Sequence, residues 1–147
     1  MDQTSPTRHI ALRIILLLVG VAIAMIGVST GFGGIKTLGL QVSPDFIEIA
    51  DAEAFAVQDN HARFLGGFWL GAGLLFIAAG YYLAPLKTVL IALLSMGFLG
   101  GLVRFSALDM GLLFGPDIFP PLAMELIGFP LLAFWIHRSV QADSTDR

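Results

Sequence analysis

Residues 10–31 read IALRIILLLVGVAIAMIGVSTG, an apolar run interrupted by one charge, Arg13. At 1.5 Å of rise per residue a helix of this length reaches about 33 Å, enough to cross the hydrocarbon core of a bilayer. Arg8 stands just ahead of the run, the arrangement also found in cleaved signal peptides. A secretory apolar region, however, is short, about 7–15 residues, and leads to a small-x-small cleavage site. This run continues from Ile14 to Val28 and beyond with no such site, so it reads as a retained span.

Three more segments of similar character follow, at 62–84, 86–105 and 117–137. Of 147 residues, 56% are hydrophobic and 13% charged, and the mean hydropathy is +0.85. A soluble domain would carry about twice that share of charge. The predicted fold class is therefore all-α, an integral membrane four-helix bundle forming a single domain over 1–138. The net charge of −3 leaves no basic patch for nucleic acid. No cysteine is present, which excludes disulfides, thiol redox chemistry and cysteine-held metals. His9, His61 and His137 are scattered. No nucleophile elbow, phosphate loop or zinc-protease motif occurs, so neither an enzyme nor a cofactor is expected.

The few charges predict direction, because Lys and Arg near span ends favour the cytoplasmic side. Arg8, Arg13, Lys87 in the expected turn Ala84–Pro85–Leu86–Lys87, and Arg138 all fall on one side. The first loop sets Lys36 against Asp45, Glu48, Asp51, Glu53 and Asp59, and Asp109 and Asp117 follow the third span. Both termini are expected inside, both acidic loops outside, in an inner membrane. Within the first loop, Ser43, Pro44 and Asp45 form a helix-start signal ahead of Ile47, Ala50, Ala54 and Val57 at helical spacing. That predicts an interfacial helix over 44–57. The polar tail 139–147 is expected to be disordered.

Apolar side chains do not drive helices together in lipid, and small residues that admit close backbone approach mark the contacts. Gly27 with Gly31, Gly67 with Gly71, and Gly97 with Gly101 are the Gly-x-x-x-Gly pairs, and such faces also offer a route to homo-oligomers. Asn60, Arg63, Gly67 and Gly71 share one helix face, as do Gly97, Gly101 and Arg104. In the last span Glu125 precedes Gly128 and Pro130, and the proline predicts a kink beside the glutamate. A carboxylate inside a span calls for a partner. Arg63 and Arg104 are the expected ones, with Asp59, His61 and Asp109 completing a polar rim in the outer third of the bilayer.

The stretch from Asp59 through Asn60, His61 and Arg63 to Gly67, then Gly101, Arg104 and Gly111, then Glu125, resembles a family of small bacterial four-span membrane proteins known only as a domain of unknown function. More loosely it is similar to the DoxX-like four-helix membrane proteins. The resemblance implies the fold and the membrane, and no catalytic residue. A DoxX-like redox or quinone-associated role is implied as one alternative, although a thiol version does not fit a chain without cysteine. From the residues themselves, Asn60, Arg63, Arg104 and Glu125 form a candidate ligand site. Its cluster either staples the helices together or binds an anionic lipid or amphiphile, since guanidinium groups suit carboxylate and phosphate. A small proton-coupled transporter or accessory subunit using Glu125 is the further alternative. The partners expected are membrane lipids and a second copy of the chain through the glycine-rich faces, with no nucleic acid. The topology is testable by reporter fusions at Lys87 and after Arg138, both of which should read cytoplasmic; a signal from the opposite side at either would overturn it.

Overall fold

The computed structural model describes residues 9–40 and 48–145. Among these residues the chain is helical with no strand. Four segments are long and apolar enough to cross a membrane: Ile10–Leu38, Ala52–Tyr81, Leu83–Ala107 and Phe119–Gln141. The fold is all-α and that of a four-span integral membrane protein. Its contacts divide the chain into two compact units, Arg13–Tyr81 and the residues from Tyr82 onward with those up to Leu12.

The first unit pairs α1 (Ile10–Gly33) with α2 (Ala52–Tyr81). The helices meet along glycines seven residues apart. Gly20 faces Gly73 and Ile77, Gly27 faces Gly66 and Leu70, and Gly80 lies over Leu17 and the carbonyl of Arg13. A Cβ on Gly73 would sit 2.5 Å from the backbone nitrogen of Ala24, and one on Gly27 would run into the backbone of Leu70. The backbones themselves are in contact, which no side chain at these positions would permit. A seven-residue period keeps one stripe facing a partner along the whole length of a left-handed helix pair.

This corrects the expected packing face of α2. Nothing lies within 4 Å of a Cβ placed on Gly67 or Gly71, and both are exposed. The buried residues are instead Ala62, Gly66, Gly73, Phe76, Ala79 and Gly80. Gly67 follows Gly66 by 100° of helix rotation, enough to turn it off the contact.

Helix α2 also begins earlier than the span expected at 62. Asp51 caps it, its Oδ1 accepting from the N–H groups of Glu53 at 2.9 Å and Ala54 at 3.0 Å. Ala54 and Val57, expected in a separate interfacial helix over 44–57, belong to the first turns of this long helix; Ser43, Pro44 and Asp45 lie outside the described residues. No glycine or proline intervenes between Asp51 and Leu65 to end one helix and start another. Thirty residues reach about 45 Å, so α2 exceeds a hydrocarbon core of about 30 Å.

The second unit contains α3 (Leu83–Val103), α4 (Met110–Leu113), α5 (Phe119–Ala123) and α6 (Phe129–Thr145). The expected turn at Ala84–Lys87 is helical, and the break falls two residues earlier at Tyr82, with φ −123° and ψ 63°. Pro85 thereby enters the first turn of α3, where its missing N–H costs no helical bond. At the other end α3 tightens into a 3-10 turn, Arg104–Ala107, closed by Leu108 at φ 55°. Between α5 and α6 the chain forms a π turn, Met124–Gly128, with the Phe129 N–H donating to the Met124 carbonyl. Where Pro130 predicts a kink, the structure has this widened turn, which accommodates the proline's missing donor.

Nor is the tail shapeless from 139. Helix α6 runs to Thr145, with Ser139 buried and no glycine or proline after Pro130 to stop it. The glycine ladder makes a direct prediction. Gly66→Ala should cost about 1–3 kcal/mol by forcing backbones apart, whereas Gly67→Ala should be neutral or stabilising because alanine favours helix. Thermal unfolding in detergent checks this, and equal melting temperatures for the two variants would contradict the ladder.

Candidate functional site

Among the described residues, two ion pairs bring together most of the charged residues singled out in the sequence, one in each unit. In the first unit the pair closes the end of α1. A helix C-terminus leaves its last carbonyls without internal donors and concentrates negative potential there. Gly34 stops α1 with φ 73°, a left-handed conformation suited to glycine. The Asp59 carboxylate occupies the space that a Cβ on Gly34 would need, and its Oδ1 accepts from the Ile35 N–H at 2.9 Å. Its Oδ2 accepts from Arg63 Nε at 2.7 Å, one turn along α2. Arg63 Nη1 then donates to the Phe32 carbonyl at 2.6 Å, placing a cation on the negative end of α1. Thr37 Oγ1 lies 2.8 Å from the Ser29 carbonyl and 2.9 Å from that of Gly34, closing the same helix end.

The cluster around Arg63 keeps positive charge beside a loop that is otherwise acidic, with Glu48, Asp51 and Glu53. The Arg63 side chain is 42% exposed, and among the described residues Nε and Nη1 are the nitrogens it uses. Lys36 is within Coulombic reach of Asp59 and stands 5.9 Å from the centre of the Phe55 ring. Asp59, Arg63 and Lys36 together carry +1. Neither Lys36 nor the glycine beneath Asp59 was singled out in the sequence; the seven-residue series Gly20, Gly27, Gly34 was the available signal.

In the second unit Arg104 grips Glu125 with two parallel bonds, Nε to Oε2 at 2.6 Å and Nη2 to Oε1 at 2.8 Å. Glu125 is 8% exposed and sits on the π turn. Gly101 lets α3 approach, since a Cβ there would lie 2.9 Å from Glu125 Cβ, and Gly97 one turn earlier lies against the Phe129 ring. The face shared by Gly97, Gly101 and Arg104 thus does what its spacing implied. A planar fork on a carboxylate fixes orientation as well as charge.

Of the two arginines expected at Glu125, Arg104 takes both oxygens, while Arg63 is held by Asp59 and Phe32. Asp109 has a different duty from the polar rim foreseen for it: it caps α4, Oδ1 accepting from the Leu112 N–H at 2.9 Å. Asn60 and His61 are exposed. Removing one member of a buried, fork-bonded pair leaves the other without its counter-charge. Glu125→Gln should therefore lower stability by about 1–3 kcal/mol, while Asp51→Asn, which preserves a capping oxygen, should change little. Thermal melts of the two purified variants decide it; equal stability would show the fork contributes nothing.

Neither the curated proteins nor the solved structures yield a match to this chain. A family described as a domain of unknown function (DUF4345) matches residues 11–136, a range that takes in all four spans through the last apolar turns and both ion pairs. The chain belongs to the DUF4345 family.

Proposed function

We propose that the protein is a non-catalytic component of a bacterial inner membrane that holds an anionic lipid or amphiphile headgroup at Arg63, and that the Arg104–Glu125 fork is a structural staple. The inner-membrane assignment and the placing of Arg63 toward the outer leaflet follow from the Lys and Arg asymmetry of the loops and the bacterial resemblance. The observation that carries the reading is the state of the two guanidinium groups. Arg104 is balanced one for one by Glu125, both of whose oxygens bond to it. Arg63 is half-exposed, and with Lys36 it outweighs Asp59 by one charge. Asn60, exposed beside Arg63, adds an amide to the same rim.

A guanidinium already anchored through two bonds is oriented before a ligand arrives, so it meets phosphate without further ordering. One basic group near a membrane surface contributes roughly fivefold in preference for anionic lipid. Native mass spectrometry of protein purified in mild detergent tests the reading. Wild type should retain anionic phospholipid, Arg63→Gln should lose about four-fifths of it, Lys36→Gln should lose a smaller share, and Glu125→Gln should keep it. Because Arg63 also closes α1, Lys36→Gln serves as the variant that leaves the helix end intact. Retention unchanged in both basic-residue variants would overturn the reading.

A further inference from the structure

Beside the glycine ladder, on one side of the α1–α2 pair, lies an open apolar groove of about 410 Å³ lined by Val21, Ala24, Met25, Val28, Ser29 and Ile77. Its direction is set by the helix geometry. On α1 the residues Val21, Met25, Val28 and Phe32 step by four, three and four, so they form one stripe. The seven-residue step that relates the ladder glycines also takes Ile77 to Leu70 and then to Arg63 on α2. The α1 wall therefore runs toward the end where Arg63 Nη1 is bonded to the Phe32 carbonyl, and Arg63 lies in sequence register with Ile77, the groove's α2 residue. From Val21 to Phe32 the rise is about 16 Å. The lining side chains face outward: Val21 is 47%, Met25 64% and Val28 45% exposed.

An apolar groove inside a membrane-length helix pair, whose lining stops at Val28 and Ser29 about one turn short of the Phe32 carbonyl that Arg63 holds, has beside it the two-part chemistry of a phospholipid. We propose that the groove and Arg63 form one phospholipid site, with a singly anionic phosphodiester on Arg63 and Lys36 and one acyl chain lying along Val21, Met25, Val28 and Ile77. This rests on the headgroup reading given above and adds to it the class of ligand and the path of its tail. A headgroup alone would be held by charge; a tail in the groove adds apolar contact that a soluble anion cannot make. The Asp59 carboxylate balances one of the two cations, which favours a lipid of single charge over one carrying more.

The test uses full-length protein in nanodiscs of phosphatidylcholine with a minority of phosphatidylglycerol, one or the other carrying a photoreactive diazirine in its acyl chain. Labelled phosphatidylglycerol should crosslink to Met25, Val28 and Ile77 about fivefold more than labelled phosphatidylcholine at equal abundance. That preference should vanish in Arg63→Gln, and Val28→Trp, which fills the groove from its exposed face, should remove the crosslinks. Val21→Trp blocks the far end and should shorten the labelled stretch. Equal labelling by both lipids, or labelling unchanged by Val28→Trp, would show only bulk lipid against the helices and overturn the groove. In that event anionic lipid retained in an Arg63-dependent way would leave the headgroup reading standing. Loss of Arg63 dependence in retention itself would remove both.

Discussion

Two helices surrounded by hydrocarbon gain nothing by hiding apolar side chains from lipid, because lipid is as apolar as they are. What remains is contact itself, dispersion between atoms brought close and polar groups paired where water is absent. The α1–α2 pair meets that constraint by removing side chains. With Gly20 and Gly27 against Gly73 and Gly66 the backbones touch, and the residues flanking the ladder are then free to make grooves and rims. The position of Arg63 over the end of α1 depends on this closeness. Were the axes farther apart, its reach to the Phe32 carbonyl would fail, and Asp59 would not cover Gly34.

The two ion pairs solve different problems with the same chemistry. Glu125 would be costly alone within a span, and the Arg104 fork neutralises it with both oxygens engaged. Asp59 and Arg63 instead serve the backbone, one receiving the Ile35 N–H just past α1 and the other supplying a donor to its last turn. The Arg104–Glu125 pair is neutral within itself. The Asp59–Arg63 pair has Lys36 in Coulombic reach and so a cation beyond its own balance, which is why the functional reading settles on Arg63.

The spans were legible because twenty apolar residues between charges have few other uses. The Arg104 contact was legible as well: a glutamate in a span demands a cation, and Gly97, Gly101 and Arg104 marked the face where helices could approach. The α1–α2 contact was misread because the four-residue motif Gly67-x-x-x-Gly71 is conspicuous, while the true series Gly66, Gly73, Gly80 repeats at seven and is visible only beside its counterpart on α1. Asp59 and Arg63 stand one turn apart in the sequence, but their purpose lies in the end of another helix, and local spacing carries no information about that. The early start of α2 could have been read from the lack of any breaker between Asp51 and Leu65.

The π turn at Met124–Gly128 acts as a frame shift within the last span. It fits one more residue into a turn than an α-helix would, so side chains on either side are out of phase by about 100° relative to a continuous wheel. The stripe that Leu122 belongs to and the stripe that Leu132 and Ile136 belong to, all of them buried, therefore need not align on paper to align in space. Deleting a single residue from this turn would restore an ordinary helix and leave either Glu125 or the whole of α6 facing the wrong way. For this segment, chain length is as strict a specification as residue identity.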